Sequence, residues 1–87
     1  MNIELTSFQD FNFSESIKLP IIVIYNKPTD FNDKYVARLF NVDLPTPYIV
    51  LKNTMDELIN EIPKGFIMMN RDKTDDPVIE CVFIGGN

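Results

Sequence analysis

The residues of this sequence that could do chemistry are thirteen carboxylates and one cysteine, and histidine is absent. Without histidine there is no imidazole base, no Ser-His or Cys-His nucleophile pair and no histidine metal ligand. Two carboxylates with separated pKa values can carry acid and base steps, yet no spacing in this sequence pairs two particular acids. The pattern favours ordinary surface charge for each of them, since Asp and Glu side chains are mostly exposed.

Two acid-rich stretches superficially resemble cation sites: Asp30 to Asp33, and the loop that holds Asp72, Asp75 and Asp76. Counted from Asp30, an EF-hand loop needs Gly at its sixth position and Glu at its twelfth, whereas this chain has Tyr35 and Asn41 there. The run Asp75-Asp76-Pro77 favours a turn over a cation site. The sequence therefore predicts no catalytic residues, no metal and no cofactor.

Cys81 is the single cysteine, so an intramolecular disulfide is excluded. It lies between Ile79 and Phe83 on the apolar face of a predicted strand. A free cysteine in such a position commonly behaves as a small hydrophobic residue, and a nucleophile would need a neighbour that lowers its pKa. The pattern favours a buried thiol.

Arg38 is a charged residue in the middle of a predicted strand, with Val36 and Phe40 on the same face. Two interpretations stay open. The arginine stem could lie over apolar surface at a solvated edge of the sheet. Alternatively, Arg38 anchors a protein interface, where arginine and aromatic residues are enriched. Phe31 and Tyr35 would then belong to the same partner-binding patch.

Among the elements that must position these residues, the clearest is a helix that follows the strand 48–52. Thr54 and Glu57 form a capping box, in which the Thr54 hydroxyl accepts from the Glu57 amide and the Glu57 carboxylate reaches back to the Thr54 amide. Pro63 disfavours a helical conformation at the residue before it. Between these limits apolar residues recur with a period of 3.6: Met55, Leu58, Ile59 and Ile62.

The strongest predicted strand is Pro20 to Tyr25, which is apolar on both faces and is therefore typical of a central strand covered on both sides. Other strands are predicted at 34–42, 48–52, 66–69 and 78–84. Residues 43–47 hold two prolines and are expected to break the chain before the strand 48–52. Short connections favour antiparallel neighbours.

Residues 1–19 are predicted to form a segment that covers the core and contains one short strand, because Phe8, Phe11 and Phe13 lie there among polar residues. The chain is expected to be a single α+β domain, with its core in 20–84: a mainly antiparallel sheet of about five strands with one helix packed on one face. One helix covers one sheet face. The strand 20–25 then needs a second cover, either the N-terminal segment or another subunit.

A resemblance to a known group of proteins rests on several stretches of the sequence. They are Ile24 to Phe31, Lys34 to Phe40, Thr46-Pro47-Tyr48, the capping-box helix, Pro63 to Phe66 and Asp75 to Ile79. Over about residues 20 to 80 the chain resembles a group of small uncharacterised proteins of Firmicutes and their phages or prophages. The resemblance implies a bacterial or phage origin. It assigns no role to any residue.

The balance of thirteen acids against eight bases gives a net charge of −5, which disfavours binding to nucleic acid and to anionic membranes. No apolar run is long enough to span a bilayer and no signal-peptide pattern is present, so a cytoplasmic protein is expected. The leading hypothesis is a non-enzymatic accessory protein acting through protein–protein contacts, with an unidentified partner or with itself as a homodimer. Two alternatives remain: an acidic inhibitor that imitates nucleic-acid charge, and a carboxylate- or metal-dependent enzyme.

Overall fold

The computed structural model describes residues 2–13, 17–70 and 78–85. The elements, in chain order, are β1 (Ile3–Leu5), β2 (Pro20–Asn26), a 3-10 turn (Thr29–Phe31), β3 (Tyr35–Asn41), β4 (Leu44–Lys52), α1 (Met55–Ile59), β5 (Phe66–Asn70) and β6 (Ile79–Gly85). Within the described residues the six strands form one sheet in the order β1-β4-β3-β2-β6-β5.

The α+β class is confirmed, but the sheet differs from the expected five antiparallel strands. It has six strands among the described residues and is mixed, because β1 runs parallel to β4 while the other neighbouring pairs are antiparallel. A short strand is expected within residues 1–19, and β1 is such a strand; its parallel pairing with β4 is what the sequence does not predict. Its parallel direction requires a crossover before β2, and Phe8 of the connection to β2 packs on one face of the sheet.

β4 begins at Leu44 and so includes Pro45 and Pro47, where the sequence predicts a break. β1 pairs with β4 only beyond these prolines, so their missing N–H groups cost no ladder hydrogen bond on that side. The pairing of β4 with β3 is irregular at the same level. There the Thr46 hydroxyl donates to the Leu39 carbonyl over 2.7 Å. This side-chain hydrogen bond satisfies the Leu39 carbonyl where the backbone pairing of the two strands is irregular.

One face of the sheet, called the helix face below, is covered by α1 together with the N-terminal segment. Phe8 and Leu58 are fully buried against it, and the Phe8 N–H donates to the Glu61 carbonyl over 3.1 Å. Phe11 and Phe13 pack against the same core cluster as Phe8. The buried sheet residues beneath this cover are Ile22, Ile24, Ala37, Leu39, Val50, Cys81 and Phe83.

α1 starts at the predicted cap and ends earlier than its apolar stripe. The Glu57 N–H donates to the Thr54 hydroxyl oxygen over 3.2 Å, and the Thr54 hydroxyl, rather than the Thr54 amide, meets the Glu57 carboxylate. Beyond the helix the Ile62 N–H donates to the Ile59 carbonyl, three residues back. This tighter turn buries Ile62 and leaves Ile59 exposed. Nowhere in the described residues is a helix long and apolar enough to cross a membrane.

Candidate protein-binding surface

The second face of the sheet also carries apolar side chains, and α1 does not cover it. Because side chains alternate along each strand, the strand pairing assigns the residues of this open face. They include Ile21, Val23, Tyr25, Val36, Arg38, Phe40, Ile49, Leu51, Ile67, Met69, Val82 and Ile84. The 3-10 turn lies beside this face, where Asp30 and Phe31 line a cleft with Val36 and Arg38. Val23, Val36 and Ile49, at the centre of the face, are buried.

The open face is most accessible at its β5 end. Ile67 and Met69 are 66% and 49% exposed there, and Val82 and Ile84, their neighbours on β6, are half-buried. Apolar side chains that adjoin one another and remain accessible to solvent mark interaction sites more often than scattered ones do. This end of the sheet is therefore the first candidate for a binding surface.

On the open face, Arg38 extends from β3 over β4, at the end of the sheet away from β5. Its guanidinium donates to the Thr46 carbonyl over 2.8 Å and to the Asn2 side-chain oxygen over 2.9 Å. Asn2 precedes β1, on the far side of β4, so the arginine side chain must cross Ile49, its direct neighbour on β4. Ile49 is only 1% exposed, although no helix covers it. Arg38 thus lays its stem over apolar surface, on a central strand rather than at the sheet edge.

A small cleft brings Arg38 and Phe31 together. It has a volume of about 120 Å³ and is lined by Tyr25, Pro28, Asp30, Phe31, Val36 and Arg38. The rings and Pro28 form apolar walls, and Asp30 and Arg38 supply one charge of each sign. Pockets for small-molecule ligands occupy roughly 300–1,000 Å³. The cleft is below that range and suits a single side chain of a partner protein.

Tyr35 lies apart from the other two residues predicted for the partner-binding patch. Its ring packs against the core cluster on the helix face, and the Lys27 ammonium nitrogen is 5.6 Å from the ring centroid. Phe31 and Arg38 line the cleft on the open face. Alternation along β3 already separates Tyr35 from Arg38, because residues an odd number of positions apart point to opposite faces.

In the described part of the chain, the other groups that could take part in a reaction do not form a site. Among the described residues, no three Asp, Glu or Cys side chains come close enough together to hold a metal ion, and Asp75-Asp76-Pro77 lies outside those residues. Cys81 is buried. Burial raises the pKa of its thiol, and the nearby Glu80 carboxylate raises it further. Since the thiolate is the nucleophile, this environment makes Cys81 unreactive, in agreement with the sequence interpretation.

Comparison of the chain with protein-family models, with curated proteins and with solved structures finds no match. The resemblance to small proteins of Firmicutes and their phages stays a prediction. Function must therefore be argued from the surface itself.

Proposed function

We propose that this chain is a non-enzymatic accessory protein that binds another protein through its open face. The observation that supports the proposal most is the unequal cover of the two sheet faces. The sequence offers the N-terminal segment or another subunit as the second cover of β2, and the N-terminal segment packs on the helix face beside α1. Ile67 and Met69 are left exposed. Burying a side chain of this kind stabilises a complex by about 1.5–3 kcal/mol.

The cleft beside the 3-10 turn gives this surface an anchoring point. Binding energy concentrates where a side chain fills a desolvated pocket, and the walls formed by Tyr25, Phe31 and Val36 are apolar. A partner side chain that is aromatic or aliphatic fits there. Asp30 at the cleft accepts a hydrogen bond from a basic group beside that anchor.

Charge narrows the class of partner further. The chain carries a net charge of −5, Glu4 lies opposite Ile49 on the open-face side of β1, and Asp30 lines the cleft. A partner surface with an apolar centre and a basic border complements this arrangement. Such complementarity speeds association at low ionic strength and does so less as salt is added.

Met68 and Met69 provide a matched test of the proposal. They are adjacent, identical in type and 54% and 49% exposed, and they point to opposite faces of β5. Met69→Lys places a charge on the open face, whereas Met68→Lys places the same charge on the helix-face side. Tagged protein is used to capture partners from a lysate of the source cells, with recovered proteins quantified by mass spectrometry.

We expect a stoichiometric partner with the wild-type chain and with Met68→Lys, and its loss with Met69→Lys. Equal recovery of the partner by both variants would place binding elsewhere. Recovery of the bait alone by the wild-type chain would argue against an accessory role altogether.

A further inference from the structure

β5 ends the sheet, and its outer edge has no strand beside it in the described part of the chain. The Phe66 N–H donates to the Pro63 carbonyl, so it faces away from β6. Backbone groups alternate in direction along a strand, and the N–H groups of Met68 and Asn70 therefore face outward as well. Outward-facing N–H groups at a sheet edge, such as those of Met68 and Asn70, are a template for another strand.

β5 lacks the features that usually protect a sheet edge. It holds no charged residue and no proline, and its pairing with β6 is regular from Phe66 to Asn70. Its three central residues, Ile67, Met68 and Met69, are all exposed. The opposite edge differs, because β1 has only three residues and carries Glu4. Short length and charge are both devices that prevent edge-to-edge association.

We propose that β5 pairs with β5 of a second copy of this chain, antiparallel, about a two-fold axis that passes beside Met68. Met68 then lies opposite its own symmetry mate, Ile67 lies opposite Met69 of the second copy, and Phe66 lies opposite Asn70. This register aligns the residues whose backbone groups face outward. Because each Phe66 N–H already donates to a Pro63 carbonyl, the two edges exchange about four hydrogen bonds. One continuous sheet runs through both molecules.

The sequence of β5 favours a second copy of this chain as the partner that pairs with its free edge. Two chains of net charge −5 repel each other, and an uncharged strand is where that repulsion is weakest. An isologous interface must also be self-complementary. The proposed register meets this requirement, because it joins Ile67 to Met69 on the open face and Met68 to Met68 on the other.

The size of the contact sets its strength. Five residues span about 17 Å, and a strand pair of that length buries less than the roughly 1,000 Å² of a stable interface. The dimer is therefore weak, with a micromolar rather than nanomolar Kd. This assembly goes beyond the proposed function and does not depend on it.

Sedimentation equilibrium over a range of protein concentrations tests the dimer, with Ile67→Lys as the perturbing variant. Leu44→Lys is the matched control, since Leu44 is 65% exposed against 66% for Ile67 and lies on a strand separated from β5 by three others. We expect the wild-type chain and Leu44→Lys to dimerise alike. Ile67→Lys should raise the Kd by about tenfold or more, because the lysine meets an apolar neighbour in the pair. A wild-type monomer at millimolar concentration, or a dimer that Ile67→Lys leaves intact, would overturn the proposal.

Disulfide trapping tests the register. Cross-strand neighbours have Cα atoms about 5.5 Å apart, within the range that a disulfide spans. Under mild oxidation Met68→Cys should form a covalent dimer and Ile67→Cys should form little, while buried Cys81 gives no background. A dimer that Met68→Cys fails to trap would refute this register. The lysine variants of the methionine pair keep the two proposals distinguishable: both should weaken the dimer, and only Met69→Lys should abolish partner capture.

Discussion

Replacing Arg38 with alanine is expected to destabilise the protein, although most surface substitutions have little effect. The guanidinium makes two hydrogen bonds, to the Thr46 carbonyl and to Asn2, and each contributes about 1 kcal/mol at a partly exposed site. The stem also shields Ile49, which is 1% exposed. Uncovering part of that side chain costs about 1 kcal/mol more. Arg38→Ala should therefore lower the free energy of unfolding by about 2–3 kcal/mol.

Arg38→Met separates the two contributions, because methionine retains an apolar stem and has no donors. We expect Arg38→Met to lose about 1–2 kcal/mol, less than the alanine variant, in urea unfolding followed by circular dichroism. For a domain of this size each kcal/mol corresponds to about 4–8 °C in Tm. Lys64→Ala, at an exposed position, serves as the control and should stay within about 0.5 kcal/mol of the wild-type chain.

Equal stability of Arg38→Ala and the wild-type chain would refute this reasoning. If the methionine and alanine variants were equally destabilised, the stem would contribute nothing to the burial of Ile49. The expected result also limits the use of Arg38 in binding studies. A loss of partner binding in Arg38→Ala would mix a local effect with a loss of stability, which is why the methionine pair on β5 is the better probe.

Three further predictions concern other parts of the fold. Thr54→Ala removes the N-cap hydrogen bond of α1 and should cost about 1 kcal/mol in urea unfolding; an unchanged midpoint would show that α1 is held by packing alone. Val42 has a φ of 60°, a backbone conformation that is costly for a β-branched residue. Val42→Asn should therefore raise the free energy of unfolding by about 1 kcal/mol. A decrease in the free energy of unfolding would contradict this prediction. Burial raises the pKa of Cys81, so above the ordinary thiol pKa of about 8.5 the unfolded chain loses a proton that the native chain keeps. Stability should fall as the pH rises beyond that value, and Cys81→Ala should show a smaller fall; identical pH dependence in both proteins would contradict the assignment.

Much of the architecture could be predicted from local pattern. The two-sided apolarity of Pro20 to Tyr25 predicts a central strand, and β2 does lie between β3 and β6. The capping box at Thr54 marks the start of α1 correctly. These signals work because one short stretch of residues determines them. The parallel pairing of β1 with β4 is not determined locally, because it brings together residues about forty-five positions apart in the chain.

The site was harder to predict because exposure depends on strand order, which the sequence does not reveal. Phe31 and Arg38 line one cleft, and the short connection between them makes this proximity readable from the sequence. Proximity in sequence suggests Tyr35 as a third member of the patch, but the alternation of β3 places it on the opposite face. In the sequence, Ile67 and Met69 look like the apolar residues of any short buried strand. Their exposure follows from the position of β5 at the end of the sheet.

The central claim is that the open face, and not the helix face, is where this chain meets its partner. Photochemical side-chain footprinting of the wild-type protein, at a concentration below that of self-association, tests it most directly. In isolated protein Met68 and Met69 should be labelled to similar extents, as their exposures of 54% and 49% require. In a lysate of the source cells, Met69 should become protected while Met68 stays labelled. Protection of Met68 alone, or of neither methionine, would contradict the account.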